Sequence, residues 1–138
     1  MSFSSRLFSF AAVAALAGAG IIQGAQQGTF HLSNPAYWGQ ALLQPGDYKI
    51  LLPDPSLEQR QLRVVGADRT VFELPLTTYY GDLSSRSYLK LSEIDGNYFV
   101  REFTSGNTGK KFTFSVPKSA RHLETTKRSD SAVNVAVN

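Results

Sequence analysis

The chain has 138 residues, with 14 Lys and Arg against 11 Asp and Glu, two His and no Cys. That length holds one folded domain with room for a leader or a tail. The absence of Cys excludes disulfides, thiolate metal sites and thiol nucleophiles, and 42% hydrophobic residues with 12% aromatics exclude wholesale disorder.

The first 25 residues read as an address. Met1–Arg6 is polar with one positive charge, and Leu7–Ile22 is an uncharged run rich in Ala, Leu, Phe and Gly. Small residues then gather at Ala17-Gly18-Ala19 and Gly24-Ala25. This order predicts a secretory signal-peptide helix over residues 1–25, cleaved after Ala19 or, with the more natural polar start at Gln26, after Ala25. The run is shorter and less apolar than the ~20 residues a membrane-spanning helix wants, which favours cleavage over an uncleaved anchor. No second apolar stretch of that length follows, so no membrane span is expected after cleavage. The product is expected to be secreted or periplasmic.

From residue 26 on, no window sustains helical periodicity. Short segments of period two are separated by Gly, Pro, Asn and Asp. Strands are predicted at Thr29–Leu32, Tyr37–Leu43 and Tyr48–Leu52, the last two separated by a turn at Gln44-Pro45-Gly46-Asp47. Gln61–Val65 and Thr70–Leu74 flank Gly66–Arg69 as a hairpin, and Leu76–Ser85 reads as a long connection holding Tyr79-Tyr80. Ser87–Ile94 and Asn97–Phe103 flank Asp95-Gly96, the strongest hairpin signal in the chain. Lys111–Val116 is the last strand of the domain. Ser119–Asp130 reads as a polar, disordered linker, and Ala132–Asn138 alternates with Val133, Val135 and Val137 on one face.

The expected division is a signal peptide over 1–25, a β domain over 26–117 and a flexible polar tail over 118–138 that ends in a short strand. The fold class is all-β: an antiparallel β-sandwich of about 7–8 short strands, with a small β-barrel as the alternative. The expected core is Phe30, Trp38, Leu42, Tyr48, Ile50, Val64, Val71, Leu89, Leu91, Phe99, Phe112 and Phe114.

Catalytic chemistry finds little stock. Ser105–Lys111 resembles the end of a phosphate-binding loop, but Thr104 and Lys111 stand where that motif needs Gly and Ser/Thr, and a strand follows instead of a helix. No Gly-x-Ser-x-Gly elbow exists, and a Ser/His/Asp site has only His31 or His122 to draw on. Glu73, Glu93 and Glu102 read as solvated strand residues. Glu93, Asp95 and Asn97 straddle a tight turn and lack the spacing of a calcium loop. No catalytic residue, metal or cofactor is expected.

Binding is better served. Tyr37, Trp38, Tyr79 and Tyr80 form two adjacent pairs, and strand neighbours point to opposite faces, so exposed aromatics could hold a glycan. Val133, Val135 and Val137 could pair with a sheet edge in the same chain or in a neighbour. Residues 26–117 hold nine basic and nine acidic side chains, so the folded part is neutral and nucleic acid is not an expected partner.

The stretch Trp38-Gly39-x-Ala41-x-Leu43-x-Pro45-Gly46-Asp47-Tyr48 resembles one shared by small, signal-peptide-bearing bacterial proteins of uncharacterised function. Its Leu43-x-Pro45-Gly46-x-Tyr48 core is similar to a hairpin of transthyretin-like and other immunoglobulin-like sandwich modules. The resemblance implies an exported β-sandwich with Tyr48 packed inward, and no catalytic residues. The expected function is therefore an exported, non-catalytic cell-surface or extracellular binding or assembly module. The partner is expected to be a second copy or another surface protein joined by strand pairing. A carbohydrate-binding module is the first alternative and a small secreted hydrolase the second.

Overall fold

The computed structural model describes residues 27–121 and 128–137. The expected leader, His122 and half of the expected linker therefore lie outside the described residues. Eleven strands run in chain order: β1 (Gln27–Leu32), β2 (Ala36–Trp38), β3 (Ala41–Leu43), β4 (Gly46–Leu51), β5 (Leu62–Val65), β6 (Thr70–Glu73), β7 (Thr77–Tyr80), β8 (Ser87–Ile94), β9 (Asn97–Ser105), β10 (Lys110–Thr113) and β11 (Arg128–Val137). A 3-10 turn spans Pro55–Leu57, and one short helix, α1, spans Lys118–Arg121.

All eleven strands join one sheet, ordered β3-β2-β9-β8-β11-β1-β4-β5-β6, with β10 beside β9 and β7 beside β10. The pairs are antiparallel except β2 with β9. The sheet curls so that its two ends meet: Arg69, just before β6, donates from Nη1 to the carbonyl of Leu42 in β3 at 2.7 Å. The class is all-β as expected, and the architecture is the barrel alternative, a nearly closed sheet around one core. Curling brings the β3 and β6 edges together, while β7 stays at a free edge of the sheet.

Local chemistry explains the hairpins. Asp95 (φ 51°) and Gly96 (φ 80°) both take positive φ, the two-residue turn whose twist matches that of β8 and β9. The Gly66 N–H donates to the Arg69 carbonyl at 2.7 Å and closes β5–β6. The segment expected as one strand over Tyr37–Leu43 is instead the hairpin β2–β3, broken at Gly39, whose φ of 58° suits a residue without Cβ. Pro45-Gly46 does not join paired neighbours: β4 pairs with β1 and β5, so this turn carries the chain from one part of the sheet to another. Tyr48 stacks on Phe30 with ring centroids 5.5 Å apart, and its hydroxyl donates to the Gln44 carbonyl.

Alternation fills the interior. Phe30, Trp38, Ile50, Val64, Leu89, Leu91, Phe112 and Phe114 are buried together, with Leu32, Leu43, Leu62, Val100, Phe103 and Val135. Leu42 is half-buried while Leu43 faces inward, a one-residue change of phase that follows from the Gly39 break. In β9 a bulge shifts the register between Lys90/Leu91 and their partners Glu102 and Val100, which leaves Arg101 as the extra residue. The bulge puts Val100 and Phe103 into the main core while Phe99 joins a smaller cluster with Ile94 and Val116.

The largest departure concerns the expected tail. Lys118–Arg121 is helical, and β11 lies in the interior of the strand order, between β8 and β1. Eight registered pairs, Arg128↔Ile94 to Val135↔Ser87, hold it to β8, and Gly28↔Val137 and Thr29↔Ala136 hold it to β1. The β domain therefore does not end at residue 117. Its central strand comes from the segment expected as flexible tail.

Candidate functional site

The four aromatic candidates do not form one platform. Trp38 is fully buried, its ring edge-on to Phe114 with centroids 5.1 Å apart. Among the described residues its Nε1 has no acceptor, so Trp38 is a core residue and offers no face to a glycan. Tyr37 is half-buried and stacks on Phe99 at 5.4 Å, within the smaller cluster. Tyr79 and Tyr80 alone are exposed, at 44% and 73%. They are successive residues of β7 and turn to opposite faces.

The valine candidates are engaged. Val135 is buried, and Val133 and Val137 pack against the same core. The valine face of β11 completes the barrel of its own chain. On the same strand Asp130 accepts from Ser92 Oγ at 2.7 Å and from Arg128 Nε at 2.9 Å. The Arg128 hydrogen bond is the main cause holding the Asp130 carboxyl well below the usual carboxylate range. The hydrogen bond from Ser92 and the charge of Lys90, 3.5 Å away, add to it against the cost of burial. This cluster fastens β11 to β8.

What remains open is β7. Among the described residues its only ladder partner is β10, with Tyr80 opposite Lys110 and Thr77 opposite Thr113, and all four of its residues are exposed. The Gly81 N–H donates to the Gly109 carbonyl at 2.7 Å, which marks the odd-numbered residues as those bonded to β10. Thr78 and Tyr80 therefore turn their backbone N–H and C=O groups to the free side. Lys110 Nζ lies 5.9 Å from the Tyr80 ring centre and Lys111 Nζ 5.6 Å from that of Tyr79. Burial works against the Lys111 charge, but Glu102, 3.5 Å away, and then Tyr79 outweigh it and hold the ammonium pKa above its ordinary value. Each exposed ring thus carries a cation over it, which competes with a sugar for the same π surface.

The turn behind this edge is tightly built. The Gly106 N–H donates to Ser87 Oγ at 2.9 Å and the Gly106 carbonyl accepts from the Ser84 N–H at 2.7 Å. A Cβ at residue 106 would lie 2.1 Å from the Arg86 carbonyl oxygen. Ser105–Lys111 thus runs from the end of β9 through the turn at residues 106–109 into β10, with no helix to receive phosphate.

The catalytic alternatives gather no site among the described residues. His31 Nδ1 meets Asp47 Oδ1 at 2.8 Å across β1 and β4, and both side chains are exposed. No hydroxyl is hydrogen-bonded to this pair among the described residues. Glu73, Glu93 and Glu102 lie on β6, β8 and β9. Glu73 is the perturbed one: burial raises its pKa to about 7, against the opposing charge of Arg69.

Sequence reasoning missed Thr77 and Thr78 as strand residues and Lys110 and Lys111 as neighbours of the tyrosines. The signal present was the β-prone Thr-Thr-Tyr-Tyr run between Pro75 and Gly81. Compared with known proteins, the chain matches no family model, no curated protein and no solved structure.

Proposed function

We propose that this is an exported, non-catalytic assembly module that works by adding a strand from a second copy of itself to the free side of β7. The observation that carries the reading is the edge: one ladder partner, four exposed residues, and no charge or Pro within Thr77–Tyr80 to discourage pairing. The edge is self-complementary. In a two-fold antiparallel pairing Thr78 stands opposite Tyr80 of the copy and Tyr79 opposite Tyr79, which sets a β-branched residue against an aromatic one. Export rests on the charged start, apolar run and small residues of Met1–Ala25 and on the resemblance of the Trp38–Tyr48 stretch.

Sedimentation equilibrium tests the assembly: a concentration-dependent dimer is expected, and Thr78→Pro, which removes one outward N–H, shifts it to monomer. A chain that stays monomeric at millimolar concentration overturns the reading, and so does a dimer indifferent to Thr78→Pro. Glycan-array binding lost on Tyr80→Ala would favour the carbohydrate alternative. N-terminal sequencing of the product from a bacterial periplasm tests export, with Gln26 as the expected first residue.

A further inference from the structure

The outer surface of β4–β5–β6 carries a recess. Leu62 and Val64 of β5 point into the core, so Arg63 between them points outward. Register places Arg63 opposite Leu51 of β4 on one side and Phe72 of β6 on the other, a row of three on one face. The segment from Leu52 to Gln61 leaves the sheet, makes the 3-10 turn and comes back along this row, bringing Glu58 and Arg60 with it. The turn ends at Glu58, whose φ is 56°. The result is a recess of about 520 Å3 with the row Leu51, Arg63 and Phe72 and the adjoining Leu74 as floor, and Glu58 and Arg60 on the facing segment. That volume suits one small-molecule ligand.

Two features distinguish it from a solvated strand face. Phe72 and Leu74 are 59% and 62% exposed, an apolar surface that water does not favour. Neither the Arg60 nor the Arg63 guanidinium has a hydrogen-bonding or ion-pair partner among the described residues. Glu58 is the one carboxylate lining the recess against these two guanidiniums, so the lining keeps a net positive charge. Guanidinium forks match the oxygens of an acid headgroup, and the floor matches a hydrocarbon.

We infer that this recess binds a single-tailed anionic amphiphile, its carboxylate or phosphate headgroup held by Arg60 and Arg63 and its tail lying on Leu51, Phe72 and Leu74. No residue of β7 lines this site.

Titration calorimetry on the full chain, with probes kept below their micelle concentrations, tests it. Decanoate and monodecyl phosphate distinguish the two headgroups, decyltrimethylammonium reverses the charge, and acetate removes the tail. At least one decyl anion is expected to bind about tenfold or more tighter than the decyl cation, with acetate silent. Arg60→Gln with Arg63→Gln should abolish that preference, while Phe72→Ser should weaken both decyl anions and the cation alike. Both changes are at exposed side chains, and an unchanged melting temperature shows that each variant is folded. Equal affinity for cation and anion overturns the inference. An anion preference that survives the double arginine change, or no heat with either decyl anion at millimolar concentration, does so too.

Discussion

The strand order ends in three places, and the molecule treats them differently. At the β3–β6 seam, side chains do what a backbone ladder does elsewhere: Arg69 reaches the Leu42 carbonyl, and the Glu73 carboxylate lies against Gly39 so closely that a Cβ there would be 2.6 Å from Oε2. At β7 nothing among the described residues crosses the edge. A seam closed by two charged residues can be opened by changing one atom or one proton. An edge left open responds only to what approaches it. The contrast teaches where to look for stability effects and where for association effects.

Four changes separate the two. The largest effect is expected at Gly106→Ala, where the new methyl meets the backbone carbonyl of Arg86 and the turn behind β7 has to move. It should cost about 3 kcal/mol in urea unfolding, and a loss under 1 kcal/mol would show that the turn yields easily. Arg69→Ala leaves the Leu42 carbonyl without its donor and should cost about 1.5 kcal/mol. An unchanged urea midpoint would mean that backbone packing alone holds the seam.

Glu73→Gln tests the same seam through pH. The native state raises this carboxyl from 4.5 to about 7 and so holds its proton more tightly than the unfolded chain does. Stability therefore falls as pH rises from about 4.5 to about 7 and levels off above. Glu73→Gln should gain about 1 kcal/mol at pH 8, after screening of a half-exposed group, and nothing at pH 4. A gain of equal size at both pH values would rule out the titration. The smallest stability effect belongs to Thr78→Pro, whose N–H faces away from β10: less than about 0.5 kcal/mol. The same variant should nonetheless abolish association.

Much of the fold was legible because its signals are local. Asp95-Gly96 and Gly66–Arg69 specify their hairpins within four residues, and the alternation of Ser87–Ile94 puts Leu89 and Leu91 on the buried face. The Gly39 break was harder to read, since the residues around it are β-prone and carry no Asn or Asp. β7 was missed because its sole partner is 30 residues downstream and exposure of all four residues erases the period-two signal. For β11 the period was readable but the address was not: alternating Val marks a strand without saying that β8 and β1 await it. The recess was invisible for the same reason, because Arg60 and Arg63 look like any solvated cations until Leu51, Phe72 and Leu74 are set beside them.

The place of β11 has a consequence for synthesis. The two strands it joins, β1 and β8, are made early and midway, yet each lacks a neighbour until Arg128–Val137 has left the ribosome. Every shorter nascent chain therefore has an unfilled slot through the middle of its sheet, and the barrel cannot lock while translation of this region continues. Cooperative closure of the barrel is therefore expected only once β11 is available to fill the place between β8 and β1.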